Sequence, residues 1–414
     1  MDDDKELKEF ENLPEGWKWV RLEEDVILIT GSRPKGGAVD EGVPSLGGEH
    51  ITEDGRIIFT EQNAKYIPEI FFKLMPKGKA EIDDILINKD GANTGKVAIL
   101  KAKFYPCIAI NEHLFILRSK NLFEQKYLFY WLYSSFAQIE IKNRISGSAQ
   151  PGLSSSFIKN FFILTPPLPE QQKIAEILET IDNAIEKTDK IIEKYKRIKQ
   201  GLMQDLLTKG IDENGNIRDE KTHKFKDSPL GRIPEEWEVV RLGEVFKLKS
   251  GMKKPIDTSE FGNYPVYGGN GILGYTNEKN FNIETIIIGR VGEYCGSVYI
   301  ANEGWVTDNA LYVVAKKIGY NNIFLCYLLK YLNLNQFSAE TGQPLMTQTI
   351  IYRIQIPLPP LPEQQKISEI LSQIDETNEK EEKYKEKLER IKQGLMEDLL
   401  TGKVRVNHLV EEEE

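Results

Sequence analysis

Nine residues, PPLPEQQKI, occur twice in this chain, at Pro166–Ile174 and again at Pro359–Ile367, 193 positions later. The same offset aligns RIKQGLMQDLLTKG (Arg197–Gly210) with RIKQGLMEDLLTGK (Arg390–Lys403), so a block of about forty residues is repeated without a gap. A second repeated block lies upstream. LPEGWKWVRLEED (Leu13–Asp25) matches IPEEWEVVRLGEV (Ile233–Val245) at an offset of 220, laying Trp17 on Trp237, Arg21 on Arg241 and Leu22 on Leu242. The region between the matched blocks is therefore 27 residues longer in the first copy. It shares little with its counterpart beyond Tyr130 with Tyr327 and a Gln-Pro pair at Gln150 and Gln343. An internal repeat of this kind fixes the architecture before any single residue is read: a variable domain, a constant segment, a linker, then a second variable domain and a second constant segment.

The constant segments have the pattern of long helices. Pro169 and Pro362 fall where a first helical turn tolerates proline, with Glu170 and Glu363 in the positive end of the helix field. Neither proline nor glycine follows until Gly201 and Gly394. Ile174, Ile181, Tyr195 and Leu202 share one heptad position, and Ile177, Ala184, Ile191 and Ile198 the position three later, with Leu178, Ile185 and Ile192 widening the stripe. The second copy supplies Ile367, Ile374, Leu388 and Leu395, beside Ile370, Tyr384 and Ile391. This is a coiled-coil seam over some five heptads, roughly 50–55 Å long. The opposite face is too polar for a core, so each helix needs a partner, and chain order makes a pairing of the two copies antiparallel. Ile174, Ile181, Tyr195, Leu202, Ile367, Ile374, Leu388 and Leu395 are the expected packing residues. The linker is polar and glycine-bearing and is expected to be loop.

The expected fold is α+β. Residues 1–166 and 233–358 form two globular domains, 167–209 and 359–404 the two helices, 210–232 the linker and 405–414 an acidic tail. Strands are expected at IIFT, AILKA and LFILRS in the first domain and at TIIIGRV, SVYIA and ALYVVAKK in the second. A helical run follows in each, EQKYLFYWLYSSFAQIEI and NIFLCYLLKYLNLNQFS. Glycine-rich loops punctuate both domains, and NKDGANTGKV (88–97) aligns with GRVGEYCGSV (289–298), Lys89 on Arg290, Gly91 on Gly292 and Gly95 on Gly296. Glycine lets backbone approach a partner closely, while Arg, Lys, Asn and Tyr side chains suit base edges, phosphates and stacking. These loops make Arg33, Lys35, Lys89, Asn93, Thr94 and Lys96, and Tyr264, Tyr267, Asn270, Tyr275, Arg290 and Tyr294, candidate nucleic-acid contacts.

Composition removes several alternatives. No apolar run reaches membrane-spanning length and the first residues lack a signal-peptide core, so a cytoplasmic protein is expected. Three scattered cysteines fit neither a disulfide framework nor a zinc site. Four dispersed histidines give no catalytic or metal constellation, and DGANTGKV lacks the spacing of a phosphate loop. No catalytic or metal-binding residue is assigned. The net charge of −10 argues against nucleic acid taken alone. Yet the two variable domains are each close to neutral, and the excess lies in the first dozen residues, the helices and the terminal Glu411–Glu414.

Together, the twin PLPEQQKI, the twin RIKQGLM-x-DLL, FKDSPLGRIPEEWEVVRLGEV and YPVYGGNGILGYT resemble the specificity subunit (HsdS) of type I restriction–modification systems, over essentially the whole chain. The resemblance implies that each variable domain is a target recognition domain reading one half of a split, asymmetric double-stranded DNA site. The helices would set the gap between half-sites and dock two modification (HsdM) subunits, which carry S-adenosylmethionine and methylate adenine N6. Restriction (HsdR) subunits with ATP and Mg would join the same core. No cofactor is implied for this chain, which would be non-catalytic, and weak DNA binding by the isolated chain is expected. The alternatives are a two-domain coiled-coil scaffold that does not bind DNA and a divergent methyltransferase.

Overall fold

The computed structural model describes residues 13–147, 151–338 and 343–410. The chain forms two compact units, one comprising residues up to Lys187 together with those from Tyr384 onward, the other Thr188–Lys383. Two long helices, Leu168–Thr208 and Leu361–Leu400, each contribute one portion to each unit. Gln150 and Glu411–Glu414 lie outside the described residues.

In the first unit, strand Lys18–Arg21 pairs with Phe162–Thr165, so the chain enters the globular part beside the point where it leaves for the helix. A four-stranded antiparallel sheet follows, in the order Val26–Thr30, Leu114–Ser119, Ile85–Asn88, Val97–Ile99. A three-stranded sheet runs Tyr66–Ile67, Val43–Leu46, Ala109–Ile110. The strand ILIN is buried on both faces because alternate side chains enter different cores. Ile85 and Ile87 pack with Tyr127, Leu128 and helix residues Ile174 and Leu178, whereas Leu86 packs with Leu46, Ile108 and Ile110.

The second unit repeats the plan. Glu238–Arg241 pairs with Gln355–Leu358. The four-stranded sheet runs Phe246–Ser250, Ala310–Lys316, Thr285–Gly289, Val298–Ala301, and the three-stranded sheet Gly271–Thr276, Tyr264–Gly268, Trp305–Val306. Ile286 and Ile288 face Phe324, Leu328 and helix residues Ile367 and Leu371, and Ile287 faces Phe281, Val306 and Tyr312. The inner pair of each three-stranded sheet is parallel, Leu46 opposite Ile110 and Tyr267 opposite Val306. The variable regions thus share a fold that their sequences conceal.

Within each unit the two helices run antiparallel, and matching residues lock them. In the first, Asp182 receives Lys392 at 2.6 Å and Tyr130 Oη at 2.8 Å; in the second, Asp375 receives Lys199 at 2.5 Å and Tyr327 Oη at 2.7 Å. A clasp closes each helix start. Glu170, buried, accepts from Trp17 Nε1 at 3.1 Å and from Arg405 Nε and Nη2 at 2.7 and 2.8 Å. Glu363 accepts from Trp237 Nε1 at 3.1 Å and Arg218 Nη1 and Nη2 at 2.5 and 3.1 Å. Each arginine follows the end of one long helix and grips the beginning of the other.

Several expectations shift. Ile174, Ile367 and Leu388 are buried, while Ile181, Tyr195, Leu202, Ile374 and Leu395 are half-buried. Leu178, Ile185 and Ile192 form the deeper row, with Asp182 and Thr188 buried among them. Ile191 and Ile198, expected at the seam, are exposed, as are their counterparts Tyr384 and Ile391. The ion pairs admit polar residues to the seam and rotate the apolar edge outward. IIFT is not a strand: Ile57 makes one bridge to Ile51, closing the turn of residues 52–56. AILKA is strand only as far as Ile99. The linker is not simply loop. Phe225–Ser228 and Gly231–Pro234 form a hairpin whose turn is held by Ser228 Oγ donating to the Gly231 carbonyl at 2.6 Å, and Arg218 serves the clasp.

Candidate nucleic-acid interface

The loops flagged in the sequence converge in each unit, and backbone bonds build both clusters alike. Lys89 N donates to His113 O and Arg290 N to Asn309 O, each at 2.9 Å. Gly95 N bonds Asn88 O at 2.7 Å and Gly296 N bonds Gly289 O at 2.9 Å. Gly91 N reaches Pro151 O at 3.2 Å, Gly292 N reaches Pro344 O at 3.1 Å, and Leu153 N and Met346 N return to the carbonyls of Lys89 and Arg290. Gly91 and Gly95 have φ of 80° and 90°, Gly292 and Gly296 of 71° and 83°, a region that disfavours side-chain-bearing residues. Gly31 and Gly251 play one role as well. A Cβ on Gly31 would strike the carbonyl of Asn111, and one on Gly251 that of Thr307. The frame of the two clusters is the same; the side chains on it differ.

In the first unit Arg33 and Lys35 are exposed, and Arg33 Nε lies 3.0 Å from Glu112 Oε1. Lys89 Nζ is 3.9 Å from Asp90, whose Oδ1 is 2.6 Å from His113 Nδ1. Asn93 and Thr94 are used inside the loop: Asn93 Nδ2 donates to Gly48 O at 3.1 Å, and Thr94 Oγ1 to Gly91 O at 2.6 Å. Lys96 turns toward Glu53 at 3.3 Å, onto a cavity beside the helices. In the second unit Gly269, the neighbour of Asn270, lies against Tyr294 and against Gly289, the neighbour of Arg290. Tyr267 is structural, packed between the tilted rings of Phe281 and Tyr299, and burial pushes its phenol above the ordinary range. Burial raises the Cys295 thiol in the same way. Tyr264 and Tyr275 sit at the end of their hairpin away from its Gly268–Gly271 turn, with Lys279 4.6 Å from the Tyr264 ring centroid.

Four residues escaped the sequence reading. Lys253 and Lys254, both exposed, occupy the places of Arg33 and Pro34 in the second unit. Extending the 220-residue offset eleven and twelve positions past Leu22 and Leu242 would have found them. Glu112 and Asp308, the next residues after Asn111 and Thr307, hold equivalent places, but no sequence match links them. Among the described residues, the buried polar side-chain atoms lacking a protein partner include Thr30 Oγ1, Asn88 Oδ1 and Glu112 Oε2 in the first cluster, and Arg290 Nε and Thr307 Oγ1 in the second. Folded proteins seldom leave such atoms unpaired, and five of the seven such atoms among the described residues lie in these two clusters. Among the described residues no group of three or more His, Cys, Asp or Glu could hold a metal ion, and no helix is long and apolar enough to cross a membrane.

Comparison with known proteins points one way. A family model described as the type I restriction modification DNA specificity domain matches residues 14–196 and 234–390. The MjaVIII type I restriction enzyme specificity subunit of Methanocaldococcus jannaschii is 30% identical, with 96% of this chain and 95% of that one covered. The EcoprrI specificity subunit of Escherichia coli is 25% identical, with 89% and 91% covered. In fold, the chain resembles a crystal structure of the type I restriction-modification S subunit from M. genitalium, with a TM-score of 0.65 at 19% identity, covering 94% of this chain and 96% of that one.

Proposed function

This chain belongs to the family of type I restriction–modification specificity subunits, and on that premise we propose that its two globular parts each read one half of a bipartite, asymmetric DNA site. The paired helices set the gap between the halves and dock the modification subunits that methylate adenine N6. The observation that carries this reading is the loop frame built twice by the same backbone bonds and furnished with different side chains. Two like scaffolds with unlike surfaces suit two unlike half-sites. Phosphate contacts would come from exposed cations such as Arg33, Lys35, Lys253 and Lys254, and base contacts from the groups at the loop centres.

The helices offer a docking surface in duplicate. Leu168 and Leu361, Ile191 and Tyr384, and Ile198 and Ile391 are exposed at matching positions of the two copies, which supports two equivalent partner subunits. Chemistry belongs to those partners in this family. S-adenosylmethionine would be held by the modification subunits, and ATP and Mg by restriction subunits, while this chain selects the sequence.

Base-resolution mapping of methylated adenine in DNA from a host carrying this gene and its modification partner tests the reading. The expected result is one modified adenine per strand within two dissimilar half-sites at a fixed gap. A continuous or perfectly palindromic site would overturn it.

A further inference from the structure

Glu112 stands at the centre of the first loop cluster on a turn fixed from several sides. Asn111 N donates to Leu46 O at 2.8 Å, His113 N to Asn111 Oδ1 at 2.9 Å, and Leu114 N to Asn111 O at 3.3 Å, while Gly31 packs on the Asn111 carbonyl. Its two oxygens differ. Oε1 faces Arg33 Nε at 3.0 Å and His113 Nε2 at 3.6 Å, and Oε2 is buried with no partner. Arg33 is 62% exposed at its side chain and closes over the carboxylate from a neighbouring loop. The result is an acceptor with an open valence, held by rigid backbone beneath a displaceable cation.

An ionised carboxylate accepts hydrogen bonds and donates none. In the major groove, cytosine N4 and adenine N6 present amino donors, whereas guanine O6 and N7 and thymine O4 are acceptors that repel it. We propose that Glu112 is a specificity-determining residue of the first globular part, accepting a hydrogen bond from the exocyclic amino group of a cytosine or adenine while Arg33 moves from it to a backbone phosphate. The inference rests on the DNA-reading function proposed above. Asp308 occupies the same place in the second unit, exposed on the turn whose Asn309 carbonyl binds Arg290 N, so an acid at this point belongs to both frames.

The test uses the assembled complex of the full chain with its modification subunits and a duplex carrying the mapped site. Each cytosine or adenine of both half-sites is replaced in turn by an analogue lacking the exocyclic amine, pyrimidin-2-one for cytosine and purine for adenine. The expected result is one position in one half-site at which the wild-type complex loses roughly 5- to 150-fold in affinity, and the analogue responsible tells cytosine from adenine. Glu112→Ala abolishes that sensitivity and the isosteric Glu112→Gln weakens it, with the other half-site unchanged. Arg33→Ala retains the sensitivity, binds all sequences less tightly, and lowers the salt slope by about one. The inference is overturned if no such position responds in the wild-type complex, which needs no variant to fold. Equal sensitivity in Glu112→Ala overturns it too, as does loss of the sensitivity in Arg33→Ala, which would make Glu112 only an anchor for the arginine. A bipartite site with no amine-sensitive position sinks this inference alone. Absence of any bipartite site sinks the DNA-reading function with it.

Discussion

Replacing Arg405 by alanine should destabilise the first unit by an amount the clasp geometry sets. The substitution removes two charge-assisted bonds to Glu170, at 2.7 and 2.8 Å, and leaves the carboxylate, 2% exposed, with Trp17 Nε1 and the helix N-terminus. Breaking a fully buried ion pair from one side costs about 3–5 kcal/mol. The Arg405 side chain is 26% exposed, so water recovers part of the lost interaction and about 2–3 kcal/mol is expected. For a unit of about 200 residues, each kcal/mol moves the melting temperature by roughly 2–4 °C, giving a fall of roughly 4–12 °C in the calorimetric transition of that unit. Glu170→Gln alone strands the guanidinium beside a neutral amide. The double variant should be less destabilised than the sum of the two, with a coupling of at least about 1 kcal/mol. A shift below about 1 °C for Arg405→Ala, or strict additivity in the cycle, would show that the clasp is a surface contact of no energetic weight.

Inserting four residues into both long helices, about 6 Å of axial rise, should widen the gap between half-sites by one or two base pairs with the half-sites unaltered; methylation mapping that returns the old gap with new half-sites would refute a helical ruler. Asp25 is pushed up by its burial, but bonds from Ser119 Oγ and the backbone N–H groups of Asn121 and Phe123 outweigh this and hold it below the usual carboxylate range. A depressed folded value means its stabilisation is complete above the unfolded pKa of about 3.9 and is lost as pH falls through the folded one. Asp25→Asn should therefore cost stability at neutral pH and flatten the acid limb of the denaturation profile, and parallel profiles for the two proteins would contradict this. Arg218→Ala should mirror Arg405→Ala in the second unit, since Glu363 is held by the same set of donors; calorimetry showing one clasp strong and the other silent would end the equivalence of the two clasps.

The sequence exposes this architecture unevenly, for physical reasons. The helices are legible because their side chains are repeated: what packs in one copy packs in the other, and Ile174 and Ile367 occupy equivalent buried sites. Their facing is not legible at Ile191 and Ile198, because periodicity counts apolar residues and cannot foresee that Lys199 pairs with Asp375 in that portion of the helices. The common fold of the variable parts was hidden because main-chain bonds make it. Lys89 N to His113 O and Arg290 N to Asn309 O are one contact written with different letters. Among the candidate contacts, glycine spacing marks loops that the fold brings together, yet it does not tell the exposed Arg33 from Thr94, whose hydroxyl bonds back to Gly91, or from Tyr267, whose ring packs against a core cluster. The linker hairpin is hidden because its strands are polar and short, so that Phe225–Pro234 reads as loop.

The recognition surface proposed above has a skeleton that depends on peptide groups and a few glycines, and that proposal has an evolutionary corollary. Arginine, lysine, tyrosine or carboxylate can be exchanged at the tips while every bond that shapes the loop survives. Lineages can therefore drift to new target sequences through single substitutions without crossing a valley of misfolded intermediates. The glycines and the twin clasps are where such drift should stall, and sequencing of laboratory-selected variants with altered targets should find those positions untouched.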